Sequence, residues 1–175
     1  MSEQDDVGDP PFAIRQKGLT VSDDYRSPVN LALLAYWRGK RSDRGAVAWK
    51  DVDLMELYRI APHLTVCDVL DDGREFRARY FGTEIAQIFQ FDRTGKTLAE
   101  MYEPAAAAIV AERYRLAVSA RAPVRKVGRI ELARQELPVP FEASYLPLVD
   151  GNGAVSQVVS GYDFTYRPVA EDGID

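Results

Sequence analysis

Cysteine and histidine are almost missing from this chain of 175 residues; each occurs once, as Cys67 and His63. One cysteine excludes an intrachain disulfide, and a metal site would have to be completed by carboxylates, for which no spacing is present. Freedom from disulfides fits a reducing compartment, so a cytoplasmic setting is expected. Long apolar runs are missing too. The longest, residues 105–111, falls far short of the roughly 20 residues needed to cross a bilayer, so no membrane span is expected. The N-terminal residues are acidic and lack the basic-then-apolar order of a secretion signal. Positive charge is in deficit, with 22 Lys and Arg against 27 Asp and Glu and a net charge of −5. That balance argues against a general nucleic-acid or anionic-membrane binder, either of which would need a basic surface.

What is present is ordinary globular material, 46% hydrophobic and 28% charged, at about the length of one domain. The organising stretch is 74–98. Phe76, Ala78 and Tyr80 alternate with charged neighbours, the period of a strand with one buried face. Gly82 and Thr83 break it, with Thr83 placed to cap a short helix carrying Ile85, Ile88 and Phe89 on one side. Asp92, Arg93, Thr94 and Gly95 then form a polar turn.

Before this stretch, Ser27 and Pro28 open a helix as N-cap and first residue, and Gly39 stops it. Val29, Leu33, Leu34, Tyr36 and Trp37 form its apolar stripe. The stripe is wide for a lone surface helix; it packs on its own domain, and Leu33, Leu34, Tyr36 and Trp37 are candidate contacts for a second copy or a partner. Arg38, Lys40, Arg41 and Arg44 follow, either a phosphate or acidic-partner site or a solvated helix end complementing the dipole. Asp51 and Asp53 open a further short helix with Leu54, Leu57 and Tyr58 as its apolar side. Residues 63–69 read as a strand, and Asp71, Asp72 and Gly73 as the turn into 74–80. Pro104 starts the longest helix, to about Ser119, with Val110, Tyr114, Ala117 and Val118 as its buried stripe. Three strands complete the chain: 124–132, the stretch around Phe141, Ala143 and Tyr145, and 155–164 after a turn at 150–153. Antiparallel strands joined by tight turns, with helices on one face, define an α+β domain.

Catalytic constellations are sparse. His63 and Cys67, four apart on a strand, share a face but stand about 13 Å apart, beyond proton-transfer reach. Glu131, Glu142 and Asp163 are the internal carboxylates that an enzyme could use as acid or base. Gly151, Asn152 and Gly153 lack the following helix that a phosphate loop requires. The positive signal is aromatic. Tyr80, Phe81, Phe89, Phe91, Tyr102, Tyr114 and Tyr145, with Ile85, could converge as an apolar pocket edged with hydroxyls, suited to a small organic ligand, or simply fill the core.

The element order resembles the PAS fold, a five-stranded antiparallel sheet with helices between its second and third strands. It is similar to a group of small bacterial single-PAS proteins first catalogued as a domain of unknown function. The matching residues are Trp37, Asp51 and Asp53, Arg79 with Gly82 and Thr83, Thr94 and Gly95, Glu142 with Pro147 and Leu148, and the glycines 151 and 153. The resemblance spans 30–164. Val47, Ala48, Trp49 and Lys50 depart from the Pro and Arg usual before the Asp-x-Asp. Residues 1–26, polar, acidic and broken by Pro10 and Pro11, are expected to be a flexible N-terminal segment and 167–175 a flexible acidic tail; between them, 27–62 are expected as N-terminal helices packing on the domain and 63–166 as a PAS-like core. The resemblance implies a sensor or adaptor, not an enzyme, acting as a homodimer or on an effector protein in trans. The cofactor is open. Haem is not expected, because His63 precedes the helical crossover that usually carries a haem ligand in such domains. Flavin is not expected either, because Cys67 lies on the first strand and not in a crossover helix.

Overall fold

The computed structural model describes residues 16–174; residues 1–15 of the expected flexible segment and Asp175 of the tail lie outside the described residues. The elements run β1 (Leu19–Val21), α1 (Pro28–Gly39), β2 (Leu64–Leu70), β3 (Glu75–Phe81), α2 (Thr83–Phe89), α3 (Leu98–Met101), α4 (Pro104–Ala120), β4 (Val124–Ile130), β5 (Val139–Val149) and β6 (Val155–Asp163). All six strands form one sheet in the order β1-β4-β5-β6-β2-β3, every neighbour antiparallel.

Local chemistry accounts for most of these elements. Ser27 is extended and its Oγ accepts the Asn30 N–H at 3.3 Å, while Pro28 fills the first helical turn, where its missing N–H costs nothing. Asn30, Leu33, Leu34 and Trp37 are the buried residues of α1, an i, i+3, i+4, i+7 set that forms one stripe. Asp71, Asp72 and Gly73 all take positive φ between β2 and β3, a left-handed run that Asp and Gly tolerate best. At the β5–β6 turn, Asp150 Oδ1 accepts the N–H groups of Asn152 at 2.8 Å and Ala154 at 3.1 Å, and Gly153 takes φ 81°.

The sheet is covered on both sides. On one face Cys67, Phe76, Ala78, Phe141, Ala143, Tyr145 and Val158 pack against α3 and α4. On the other, Leu64, Val66, Leu146, Leu148 and Val159 pack against Leu33, Leu34 and Trp37 of α1. Each fully buried aliphatic side chain contributes about 1.5–3 kcal/mol by leaving water.

Four expectations change. Part of 1–26 is a sixth strand: β1 pairs Leu19 with Lys126 and Val21 with Val124, and Tyr25 is buried with its hydroxyl donating to the Val124 carbonyl at 2.9 Å. Part of the acidic tail is also packed, because Asp172 is buried and bonded to Arg125 and Tyr166. The helix expected from Asp51 onward is a 3-10 turn, Trp49–Asp51, followed by successive turns. Asp53 Oδ1 takes the Met55 N–H at 2.9 Å, a side-chain bond that competes with helix, and Pro62 prevents extension. Thr83 is the first helical residue and Gly82 stands at the cap, with no side-chain bond.

Candidate ligand-binding site

A cavity of about 220 Å³ lies between the sheet and the crossover helices. Thr65 and Cys67 of β2, Ala78 and Phe81 of β3, Phe141 of β5 and Tyr162 of β6 supply its sheet side. Ile85 and Phe89 of α2, Leu98, Met101 and Tyr102 in and after α3, and Ile109, Val110, Arg113 and Tyr114 of α4 supply the opposite wall. The long helix turns one stripe inward because 110, 113, 114 and 117 recur at helical spacing. The lining is largely hydrocarbon and aromatic, as in small-molecule sites generally.

Beneath it lies a connected set of rings. Tyr114 stacks on Phe76 at 5.1 Å and meets Tyr145 edge-on at 5.1 Å; Tyr145 meets Tyr162 edge-on at 6.0 Å. Their hydroxyls join, Tyr114 to Tyr162 at 3.2 Å and Tyr162 to Tyr145 at 3.3 Å. Burial holds Tyr114 and Tyr162 well above the ordinary tyrosine range, so both remain neutral donors. Burial likewise pushes the Cys67 thiol up to about 12, which leaves it protonated and a weak nucleophile at neutral pH.

Several buried polar groups near the cavity have no hydrogen-bond partner among the described residues. Thr65 Oγ1 and Ser160 Oγ are two of them, and Thr65 pairs directly with Ser160 across β2 and β6. Nε and Nη1 of Arg93 are the others. Arg93 arrives there on the 92–95 turn: Asp92 Oδ1 accepts from Thr94, and the Gly95 N–H donates to the Ala78 carbonyl at 2.7 Å. Its guanidinium lies 5.1 Å from the Phe89 ring, 4.5 Å from Phe91 and 4.9 Å from Tyr102.

The opposite face of the sheet carries a dense polar network centred on Glu142, which is fully buried. Its carboxylate accepts from the backbone N–H groups of Arg26 and Ser27, from Asn30 Nδ2 at 3.1 Å and from Arg125 Nε at 2.9 Å. Arg125 also reaches Asp172 at 2.9 Å. Residues alternate along β5, so Phe141, Ala143 and Tyr145 face α4 while Glu142 and Ser144 face the α1 side. Glu142 therefore ties the N-terminal segment to the sheet, away from the cavity. Asp163 is engaged by Thr165, whose N–H and hydroxyl bond to Oδ1 at 2.8 and 2.6 Å. Glu131 is exposed just beyond β4. None of these three carboxylates lines the cavity.

Of the residues expected to gather at a pocket, Phe81, Ile85, Phe89, Tyr102 and Tyr114 line the cavity. Tyr145 lies below it, fully buried in the ring set. Phe91 is 58% exposed and covers Arg93 from outside. Tyr80 is on the other face, packed toward α1, with its hydroxyl donating to the Ala61 carbonyl at 2.9 Å. The cause is a bulge: Cys67 pairs with Ala78 but Val66 with Tyr80, so Arg79 is an extra residue and the side-chain alternation inverts after it. Phe81, not Tyr80, consequently enters the cavity.

The α1 residues offered as partner contacts are corrected as well. Leu33, Leu34 and Trp37 are 1%, 4% and 6% exposed, and Trp37 Nε1 donates to the Pro147 carbonyl at 3.0 Å. Tyr36 is turned to Glu56, its hydroxyl 2.7 Å from the carboxylate. This stripe is spent inside the domain. The basic cluster beyond it also finds internal partners, Arg38 with Asp23 and Lys40 with Glu56. His63 is not among the cavity residues, whereas Cys67 is.

Arg113, Phe141, Tyr162, Phe164 and Cys67 line the cavity without having been singled out for it. For Arg113 a signal existed, since it falls on the apolar stripe of α4 between Val110 and Tyr114.

The second and third long strands, β3 and β4, are thus bridged by α2, α3 and α4, which close over a small apolar cavity. A family model described as the PAS domain matches residues 25–162. The chain belongs to the PAS domain family. Among solved structures, the PAS domain of Bordetella pertussis BvgS matches at 20% identity and a TM-score of 0.50, over 69% of this chain and 91% of that one. A sensory box sensor histidine kinase from Vibrio cholerae matches at 17% identity and a TM-score of 0.42, over 62% of this chain and 86% of that one. An RNA-binding light-oxygen-voltage receptor matches at 17% identity and a TM-score of 0.42; 63% of this chain corresponds to only 32% of that one. No curated protein gives a significant match. Among the described residues no helix is long and apolar enough to cross a membrane.

Proposed function

We propose that this PAS domain is a cytoplasmic sensor that binds a small organic molecule between the sheet and α2–α4. Occupancy of the cavity is passed to a partner protein or to a second copy of the chain. The observation that carries this reading is the cavity itself, about 220 Å³ of mostly apolar space with buried polar groups around it that have no partner among the described residues. Buried donors without partners are costly, roughly 1–3 kcal/mol each, and a ligand that reaches them recovers part of that cost. The volume lies below the roughly 300–1,000 Å³ usual for drug-sized ligands, which points to a compact molecule. Contact with the partner uses a surface other than Leu33, Leu34 and Trp37 of α1, because those three are buried.

The test is native mass spectrometry of the protein purified from its own host, beside a denatured control and the variant Val110→Phe, which fills the cavity from α4. The reading expects a small molecule released on denaturation and lost from V110F. A native mass equal to the bare chain in both proteins would contradict it.

A further inference from the structure

The charges around the cavity specify the chemistry of what fills it. Arg113 lines the cavity, its Nε donates to Gln16 Oε1 at 3.1 Å, and its guanidinium carbon lies 5.7 Å from the Phe141 ring. A guanidinium carries five N–H donors and a permanent charge, yet among the described residues no carboxylate forms an ion pair with Arg113. Arg93 is the second uncompensated cation. It is 8% exposed, two of its nitrogens have no partner among the described residues, and Phe89 and Tyr102, two of the rings around it, are also walls of the cavity.

Tyr102 connects the two geometrically: the Arg93 guanidinium lies 4.9 Å from its ring, and Arg113 lines the same cavity as Tyr102. Burial raises the Tyr102 hydroxyl above its ordinary range, and Arg93 and Arg113 oppose that rise. Burial first, and Arg113 second, lower the Lys126 amine to about 8. A buried cation without an anion, as Arg93 is among the described residues, is costly, and a bound anion relieves that cost while gaining charge-assisted hydrogen bonds, to the half-buried Arg113 as well.

Resting on the reading of the cavity as a ligand site, we propose that the ligand is a small apolar carboxylate. Its hydrocarbon or aromatic body lies against Cys67, Ala78, Ile85 and Phe89, and its carboxylate pairs with Arg113 within the field of Arg93. An uncharged molecule of the same shape leaves both guanidinium groups as they are, so the site discriminates by charge as well as by size.

Calorimetric titration of the full chain with 3-phenylpropionate and hexanoate, each beside its uncharged primary amide, tests this directly. The acids are expected to bind about tenfold or more tightly than the amides. Arg113→Gln should remove that preference and Arg113→Lys should keep part of it, with circular dichroism confirming that each variant folds. Equal affinity for acid and amide in the unmodified protein, a comparison that depends on no variant, overturns the carboxylate assignment and leaves the cavity reading standing. An undiminished preference in folded R113Q overturns the assignment to Arg113. Failure of all four compounds to bind overturns the cavity reading along with it.

Discussion

Glu142→Ala is the perturbation whose consequence can be worked most fully from the structure. The wild-type carboxylate is fully buried and faces Arg125, whose side chain is only 12% exposed, at 2.7 Å. It also accepts the N–H groups of Arg26 and Ser27 and the amide of Asn30. Removing one member of a buried ion pair costs about 3–5 kcal/mol, because the partner is left charged in a poorly solvated place. Asp172 still faces Arg125 at 2.9 Å, which limits the loss of the pair, whereas the stranded Arg26, Ser27 and Asn30 donors add to it at roughly 1–3 kcal/mol each before relaxation. Because these losses overlap, the total is expected at about 3–5 kcal/mol. At about 2–4 °C per kcal/mol for a domain of this size, the melting temperature should fall by roughly 6–20 °C. Urea unfolding followed by the fluorescence of Trp37 and Trp49 gives the number, and a double-mutant cycle with Arg125→Ala isolates the pair. A loss below about 1 kcal/mol, or strict additivity in the cycle, would refute the reasoning. Glu142→Gln keeps the shape and one acceptor oxygen, so it should fall between the two.

Three further outcomes follow from the same framework. Burial works against the Asp172 carboxylate, but bonds from the Val169 N–H, the Tyr166 hydroxyl and Arg125 outweigh it and hold the group below the usual aspartate range. Its contribution to stability is therefore present above the unfolded value of about 3.9 and is lost as pH falls through the lower folded value. Asp172→Asn should destabilise the protein at pH 7 and flatten the decline measured by acid titration. Gly161→Ala should cost about 1–3 kcal/mol by overpacking, since a Cβ there would stand 2.5 Å from Asn30 Oδ1 and 3.2 Å from Ser144 Oγ, which are bonded to each other; an unchanged urea midpoint would contradict this. Cys67, buried and held protonated, should react with a thiol-specific disulfide reagent only after denaturation, and prompt reaction in the native protein would show that the strand opens.

Much of the fold can be read from local residues. Ser27 and Pro28 open α1, whose last residue is Gly39 with Lys40 at the cap; Asp71 with Gly73 and Asp150 with Gly153 make their turns; Pro104 starts α4 at its observed first residue. These signals act within a few positions, which is why they are legible. The sides that residues take beyond a bulge are not. Tyr80 and Phe81 exchange faces because β3 carries one residue more than the β2 segment it pairs with, and only the partner strand sets that count. β1 is three residues long, too short for any period, and is held by the edge of β4. Arg93 reads as part of an ordinary polar turn, and its burial follows from rings on α2 and near α3 closing over it. The candidate site was thus half visible, its aromatic walls and Arg113 through the stripes of α2 and α4, while the burial of Arg93 depends on elements meeting in space.

The central claim is that the space enclosed by Cys67, Phe89, Tyr102 and Arg113 holds a ligand. A crystal structure of the protein purified from its own host, without added small molecules, tests it most directly. The account predicts continuous electron density in that space, with a planar terminal group within hydrogen-bond distance of the Arg113 guanidinium. Density for scattered waters alone, or side chains collapsed into the space, would contradict it.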